Sequence, residues 1–222
     1  MDTNSDFTQP ALVHAEQEPW VASPMPGVER RMLDRVGGEV ARATSIVRYA
    51  PNSSFSPHTH GGGEEFLVLE GTFEDEHGQF PAGTYVRNPP TSRHTPGSTE
   101  GCTIFVKLWQ FDPDDRLQFH TDMRANLQAT AQGLSEALLH EGDSERVTYT
   151  EAEPDSRVIV APSTGIEIFV LGGSLISATQ TLERYSWLRL PPGEGYQGAA
   201  GESGAHFWMK TGHLKNVQRP PE

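Results

Sequence analysis

Residues 57–71 read PHTHGGGEEFLVLEG, and this stretch decides the fold and the site together. In an extended strand, residues two apart share a face, so His58 and His60 present two imidazoles side by side. Gly61, Gly62 and Gly63 let the backbone bend without steric cost. The bend brings the Glu64 carboxylate round to the same point. His94 follows after a turn at Asn88-Pro89-Pro90. Three neutral imidazoles and a carboxylate suit a divalent first-row metal. The order is H-x-H, three residues, Glu64, six residues, Gly71, then P-x-G at Pro81-Ala82-Gly83, then His94. A solvated turn would need none of these parts to coincide, so His58, His60, Glu64 and His94 are the expected metal ligands.

The rest of the chain fits around this motif. Short apolar or alternating runs at 42–49, 66–69, 83–87 and 102–108 are separated by Gly and Pro turns, the pattern of an all-β sandwich or barrel. Residues 1–26 read as a polar, proline-punctuated arm with a short edge strand at 11–13, and Trp20 as a packing anchor. Residues 27–115 form the metal-binding domain. Residues 116–132 read as a linker with some helix, and residues 133–222 as a second domain.

That second domain repeats the first. V-L-E-G-T-F at 68–73 returns as V-L-G-G-S-L at 170–175, an offset of 170 − 68 = 102. The same offset lays 87–90 (RNPP) on 189–192 (RLPP), and Phe105 on Phe207; residues 27–33 echo 133–139 at offset 106. The chain therefore reads as two tandem copies of one β unit. At offset 102, His58, His60, Glu64 and His94 fall on Val160, Pro162, Ile166 and Tyr196. The framework persists without the polar residues, so the fold does not require them and metal chemistry explains them. Copy two is expected to bind no metal and to be more apolar.

Seventeen Lys and Arg against 30 Asp and Glu give a formal charge of −13. That disfavours nucleic acid and anionic membrane surfaces, which reward basic patches. Cys102 is the sole cysteine, so neither an internal disulfide nor a C-x-x-C zinc motif can form. Its position at a strand start suits a small buried hydrophobe. No signal-peptide pattern opens the chain and no apolar run is long enough to span a membrane, so the expected location is cytoplasmic. The carboxylate runs at 64–65, 74–76 and 112–115 read as solvated surface, and the tips of Tyr85, Arg87, Lys107 and Trp109 as facing solvent. His77 reads as a turn residue, and His120 and His140 as surface residues.

The segments EEFLVLEGTFEDEHGQFPAGTYVRNPP and GCTIFVKLWQFDPDDR, with the H-x-H motif before them, resemble the ChrR-like cupin family of the cupin superfamily. The resemblance implies a jelly-roll barrel, here duplicated as a bicupin with a degenerate second copy. It also implies a metal held by the residues matching His58, His60, Glu64 and His94. In anti-sigma factors of this type the cupin follows a sigma-binding domain with its own His and Cys zinc ligands. Only about 26 residues precede Gly27 here and Cys102 is the sole cysteine, so direct sigma-factor inhibition is not expected. Similar cupins include oxygenases that cleave diketones or hydroxyacetophenones; Glu64 departs from those relatives that use three histidines only.

Two functions of different class follow. One is a metal-binding sensor or regulatory bicupin, with a regulatory protein partner or a small-molecule ligand. The other is a non-haem metal-dependent dioxygenase acting on a small carbonyl compound. One divalent ion is expected, zinc first, with iron, manganese or nickel as alternatives. Four ligands close a tetrahedral zinc site but leave two positions on a six-coordinate ion. Catalytic residues beyond the metal ligands are not identifiable, and a homodimer is compatible with exposed sheet edges.

Overall fold

The computed structural model describes residues 2–38, 40–130 and 132–220, which form two compact units. One is built on Pro19–Asp122 with short segments from both chain ends. The other joins Asp6–Glu18 to Met123–Val217. Among the described residues the regular structure is all strand apart from one 3-10 turn, Ala15–Gln17.

In the first unit a ten-stranded sheet runs from Phe119–Asp122 through Thr84–Asn88, Glu64–Asp75, Cys102–Leu108, Ala41–Tyr49 and Val28–Gly37 to Val21–Ala22. A separate two-stranded ladder pairs His58–Thr59 with Arg93–His94. Alternation places Phe66, Val68, Val86, Ile104 and Val106 on one face, where they form the core with Phe73, Phe80 and the buried Cys102. Burial raises the Cys102 thiol to about 11, so it acts as a small hydrophobe. Trp20 lies between the guanidinium groups of Arg31 and Arg48, 4.4 and 4.3 Å from its ring centre.

The second unit repeats this order. Its path runs Ala11–His14, Ser186–Leu190, Ile166–Ile176, Tyr196–Thr211, Arg146–Ala152, Leu134–Glu141 and Gln128–Ala129. The tandem all-β architecture is therefore present, but neither hydrogen-bonded path closes on itself, so the expected barrels are open sheets. The corresponding edge strands come from different places along the chain. Phe119–Asp122 follows the first sheet and pairs with Thr84–Asn88 inside it. Ala11–His14 lies before both sheets in sequence and pairs with Ser186–Leu190 of the second. The expected helix at 116–132 is replaced by strands Phe119–Asp122 and Gln128–Ala129. Pairing with an open sheet edge overrides the weak local preference of a proline-free stretch.

A shared β-bulge fixes both units. Between Val68 and Glu70 the long strand carries one extra residue opposite Thr103 and Ile104, and the same occurs between Val170 and Gly172. Gly71 and Gly173 follow at φ +71° and +68°; a Cβ on either would lie 2.1 Å from a carbonyl oxygen of the neighbouring strand. The registers also correct one repeat match. Val68 pairs with Ile104, whereas Val170 pairs with Phe207. Phe207 therefore takes the place of Ile104 in the core, and Phe105 lies on the opposite face.

That opposite face holds a second duplicated feature. Tyr85, Arg87, Glu65 and Lys107 do not reach solvent: each is 1% exposed or less. Tyr85 Oη donates to Glu65 at 2.6 Å, Arg87 lies 3.5 Å from Glu65 and 2.6 Å from Asp115, and the Phe111 ring covers the guanidinium at 4.2 Å. In the second unit Trp187 Nε1 donates to Glu167 at 2.6 Å, and the Phe7 ring covers Arg189 at 4.2 Å. Glu65 and Asp115 are thus structural acids rather than solvated ones. A buried carboxylate survives only with such partners.

Candidate metal centre

The site is assembled by backbone pairing before any ligand is considered. His58 lies directly opposite His94 in the two-stranded ladder. The His60 N–H donates to Ser92 O at 2.9 Å, and Thr91 N–H donates to His60 O at 2.9 Å. The Asn88-Pro89-Pro90 turn is closed by Ser92 Oγ on Pro89 O at 2.6 Å. These bonds bring the three imidazoles into a triangle with centroid separations of 4.9, 5.0 and 4.7 Å. One ring nitrogen from each of His58, His60 and His94 lies within 4.8 Å of the others, so the three could hold a metal ion.

The glycines do more than permit a bend. Only Gly63 takes a left-handed φ, +78°. A Cβ on Gly62 would lie 2.3 Å from the Trp109 ring, and one on Gly61 2.8 Å. Gly61 and Gly62 are therefore bare because Trp109 packs over them. Trp109 lies over these glycines rather than turning to solvent.

Glu64 Oε1 faces the histidines, 3.7 Å from His60 Nε2 and 3.6 Å from His94 Nε2. Both Nε2 atoms are buried without a hydrogen-bond partner. Two buried imidazole nitrogens and a carboxylate oxygen converge just beyond hydrogen-bond distance, an arrangement costly unless something binds among them. The donor set fits a divalent first-row cation. Asn88 Nδ2 donates to Glu64 at 3.4 Å, and Gln118 Nε2 to Asn88 at 3.1 Å, which steadies the carboxylate.

Asp75 is the functional residue that sequence reading placed on the surface. Its side chain is 4% exposed, and its Oδ2 accepts from His94 Nδ1 at 3.0 Å. That bond directs Nε2 towards Glu64 and fixes the ring orientation. Burial opposes the charged form of His94, but the Asp75 hydrogen bond and the nearby carboxylates outweigh it and raise its pKa. For His60 burial prevails and holds it in the neutral form that a metal requires. Asp75→Asn is expected to weaken metal binding about 10- to 100-fold, read by competition with a chelator.

The remaining histidines lie elsewhere. His77 takes the turn, its N–H donating to Asp75 at 2.7 Å. His120 is exposed with its ring against Phe80. His140 is not a surface residue: its side chain is 8% exposed and faces Glu145 at 3.5 Å. At the corresponding place in the second unit, Val160 pairs with Tyr196 as His58 pairs with His94. Ile166 and Tyr196 belong to the apolar core there.

A cavity of about 180 Å³ opens onto the site, with His58, Glu64 and His94 in its wall beside Val47, Val106 and Leu108. Among the described residues no helix is long and apolar enough to cross a membrane.

The family model described as the ChrR cupin-like domain matches residues 8–112. No curated protein matches the chain in sequence. Similar solved structures include a candidate dioxygenase from Nostoc punctiforme, with TM-score 0.73, 16% identity, and coverage of 97% of this chain and 88% of that one. Bacterial pirin YhhW from Escherichia coli, in complex with nickel(II), gives TM-score 0.69 at 14% identity, covering 91% of this chain and 98% of its own. Oxalate decarboxylase of Bacillus subtilis, with Mn(II) centers, gives TM-score 0.64 at 10% identity, covering 93% and 78%. At these identities the likeness establishes the fold.

Proposed function

The chain carries a ChrR cupin-like domain over residues 8–112, and on that premise we propose that it is a divalent-metal bicupin whose first unit acts on a small carbonyl compound as a non-haem dioxygenase. The cavity carries this reading, because it reaches His58, Glu64 and His94. Four protein ligands complete a tetrahedral zinc ion, whereas iron, manganese or nickel keeps two further positions. A site with no position to offer has no use for a cavity at its ligands, so a six-coordinate ion is favoured over zinc. When bound, the ion supplies Lewis acidity and access to oxygen chemistry. The chain's own residues supply the rest. Asp75 holds His94, Asn88 holds Glu64, and Val47, Val106 and Leu108 give the cavity a dry apolar wall.

In the proposed reaction the carbon–carbon bond from a carbonyl carbon to its neighbouring carbon breaks, and one molecule of oxygen places one atom in each fragment. Protein loaded with Fe(II) is expected to consume oxygen one-for-one with acetylacetone, acetylpyruvate or a hydroxyacetophenone. Absence of uptake by metal-replete protein across that panel rejects the dioxygenase reading.

The family match favours a second reading, a metal-dependent sensor in which the same cavity binds a signal and a regulatory protein reads the outcome. Metal-dependent capture of a regulatory protein, together with no oxygen uptake, supports it.

A further inference from the structure

A second bulge changes what the cavity can hold. In the strand Val28–Gly37 the register against Ala41–Tyr49 shifts between Met32 and Asp34. Before the bulge Arg30 lies opposite Val47; after it Arg35 lies opposite Ala43. Val47 and Ala43 both line the cavity. Without the extra residue, strict alternation would put Arg30 and Arg35 on opposite faces, because they are five apart. The bulge instead puts both side chains on one face of the sheet, and both residues line the space that reaches His58, Glu64 and His94.

Neither arginine forms a salt bridge among the described residues. Arg30 Nη2 donates to Ser23 Oγ at 2.6 Å, and Arg35 Nη2 donates to the Gly38 carbonyl. The nearby acid Asp2 instead accepts from the Gly37 N–H, at 3.2 Å. Partial burial, and then the charge of Arg30, lower the pKa of Arg35, while Asp2 works the other way. In a chain of net charge −13, two cations left to repel each other at one cavity require a reason. Across the sheet the row Glu64, Leu108, Ala43, Arg35 is continuous in register. Arg35 is therefore three strand spacings from Glu64, about 14 Å along the sheet. A ligand touching the metal can thus extend a second, anionic end towards the guanidinium groups.

We infer that Arg30 and Arg35 form the anion-binding wall of this cavity, and that its ligand is a small carbonyl compound bearing a carboxylate. Arginine forks match carboxylates with two parallel hydrogen bonds, which an uncharged diketone cannot return. The cavity, about 180 Å³, has the room of roughly six waters at about 30 Å³ each. That suits a molecule of a few carbons. The inference rests on the reading of the site as a small-molecule metal centre.

Acetylpyruvate and acetylacetone make a matched pair, since both are five-carbon diketones and differ by a carboxylate in place of a methyl. Calorimetric titration of manganese-loaded protein under nitrogen is expected to show acetylpyruvate binding about tenfold or more tightly than acetylacetone. Arg30→Gln and Arg35→Gln should each weaken acetylpyruvate about tenfold and leave acetylacetone unchanged. The acetylacetone affinity reports that the variant is folded and loaded; if a variant does not fold, the parent's preference decides. No preference in the parent, no acetylpyruvate binding, or equal binding by parent and folded variants overturns the inference. Arginine-dependent acetylpyruvate binding with no oxygen uptake rejects the dioxygenase and keeps the inference. Uptake that is indifferent to the arginines does the reverse.

Discussion

His94→Ala is expected to strip the metal from the first unit and to lower its stability. An ion bound only by the folded state stabilises it by linkage, about 4 kcal/mol when free metal exceeds its Kd a thousandfold. The substitution also leaves Asp75 buried without its imidazole partner, which costs about 1–3 kcal/mol in its own right. The two contributions separate by chelation. Parent protein should lose much of its thermal stability in a chelator, and His94→Ala should melt at the same temperature with or without one. Tyr196→Ala, at the corresponding place in the second unit, should leave metal content unchanged. Equal metal content in His94→Ala and parent contradicts the ligand assignment.

Glu65→Ala is expected to destabilise the protein by about 3–5 kcal/mol, because removing one partner leaves a buried cation uncompensated. Glu65 accepts from Tyr85 and faces Arg87, with both side chains shut from solvent. Arg87 retains Asp115, which places the loss towards the lower end of that range. Glu167→Ala tests the copy of this arrangement in the second unit, where Trp187 Nε1 would lose its acceptor. The control is Glu29→Ala. Its pair with Arg48 is nearly half exposed on both sides, and exposed pairs contribute about 0–1 kcal/mol. Urea denaturation of the three variants gives the comparison. A Glu65→Ala loss no larger than that of Glu29→Ala contradicts the structural role given to the buried network.

The cluster of His58, His60 and His94 with Glu64 beside it was legible because its parts are local or tied to recognisable turns. His58 and His60 are two apart, Glu64 follows the glycines, and His94 follows a proline turn. The structure brings all four side chains to one place. The duplication was legible because both copies keep the same glycine at the same bulge, Gly71 and Gly173, and the same Pro-Pro turn.

Bulges account for most of what sequence reading missed. Period-two alternation from Glu64 puts Asp75 on the opposite face, yet the extra residue before Gly71 reverses the parity, and Asp75 reaches His94. The same arithmetic hid Arg30 and Arg35 as a pair. The match of Phe105 to Phe207 failed for another reason: the second unit has one residue more between Gly173 and its partner Ala205 than the first has between Gly71 and Cys102. A bulge leaves little trace in a single sequence beyond a glycine inside a strand.

The other misses have a different cause. Tyr85, Arg87 and Lys107 read as exposed because polar side chains usually are. Arg87 is covered by Phe111 and Tyr85 meets Phe119 of an edge strand from the 116–132 segment, both distant from them in sequence, while Lys107 donates to Thr44 across the sheet. That segment, free of proline, read as helical because nothing local shows that the edge of Thr84–Asn88 is open to receive a strand.

The most direct test of the account is elemental analysis of the untagged protein, purified without added metal and again after reloading and desalting. The account predicts one divalent transition-metal ion per chain in the reloaded sample, iron, manganese or nickel rather than zinc, and none in His94→Ala treated in parallel. A parent protein that retains no metal after reloading contradicts the central claim, because the buried His60 and His94 nitrogens facing Glu64 would then serve no ion.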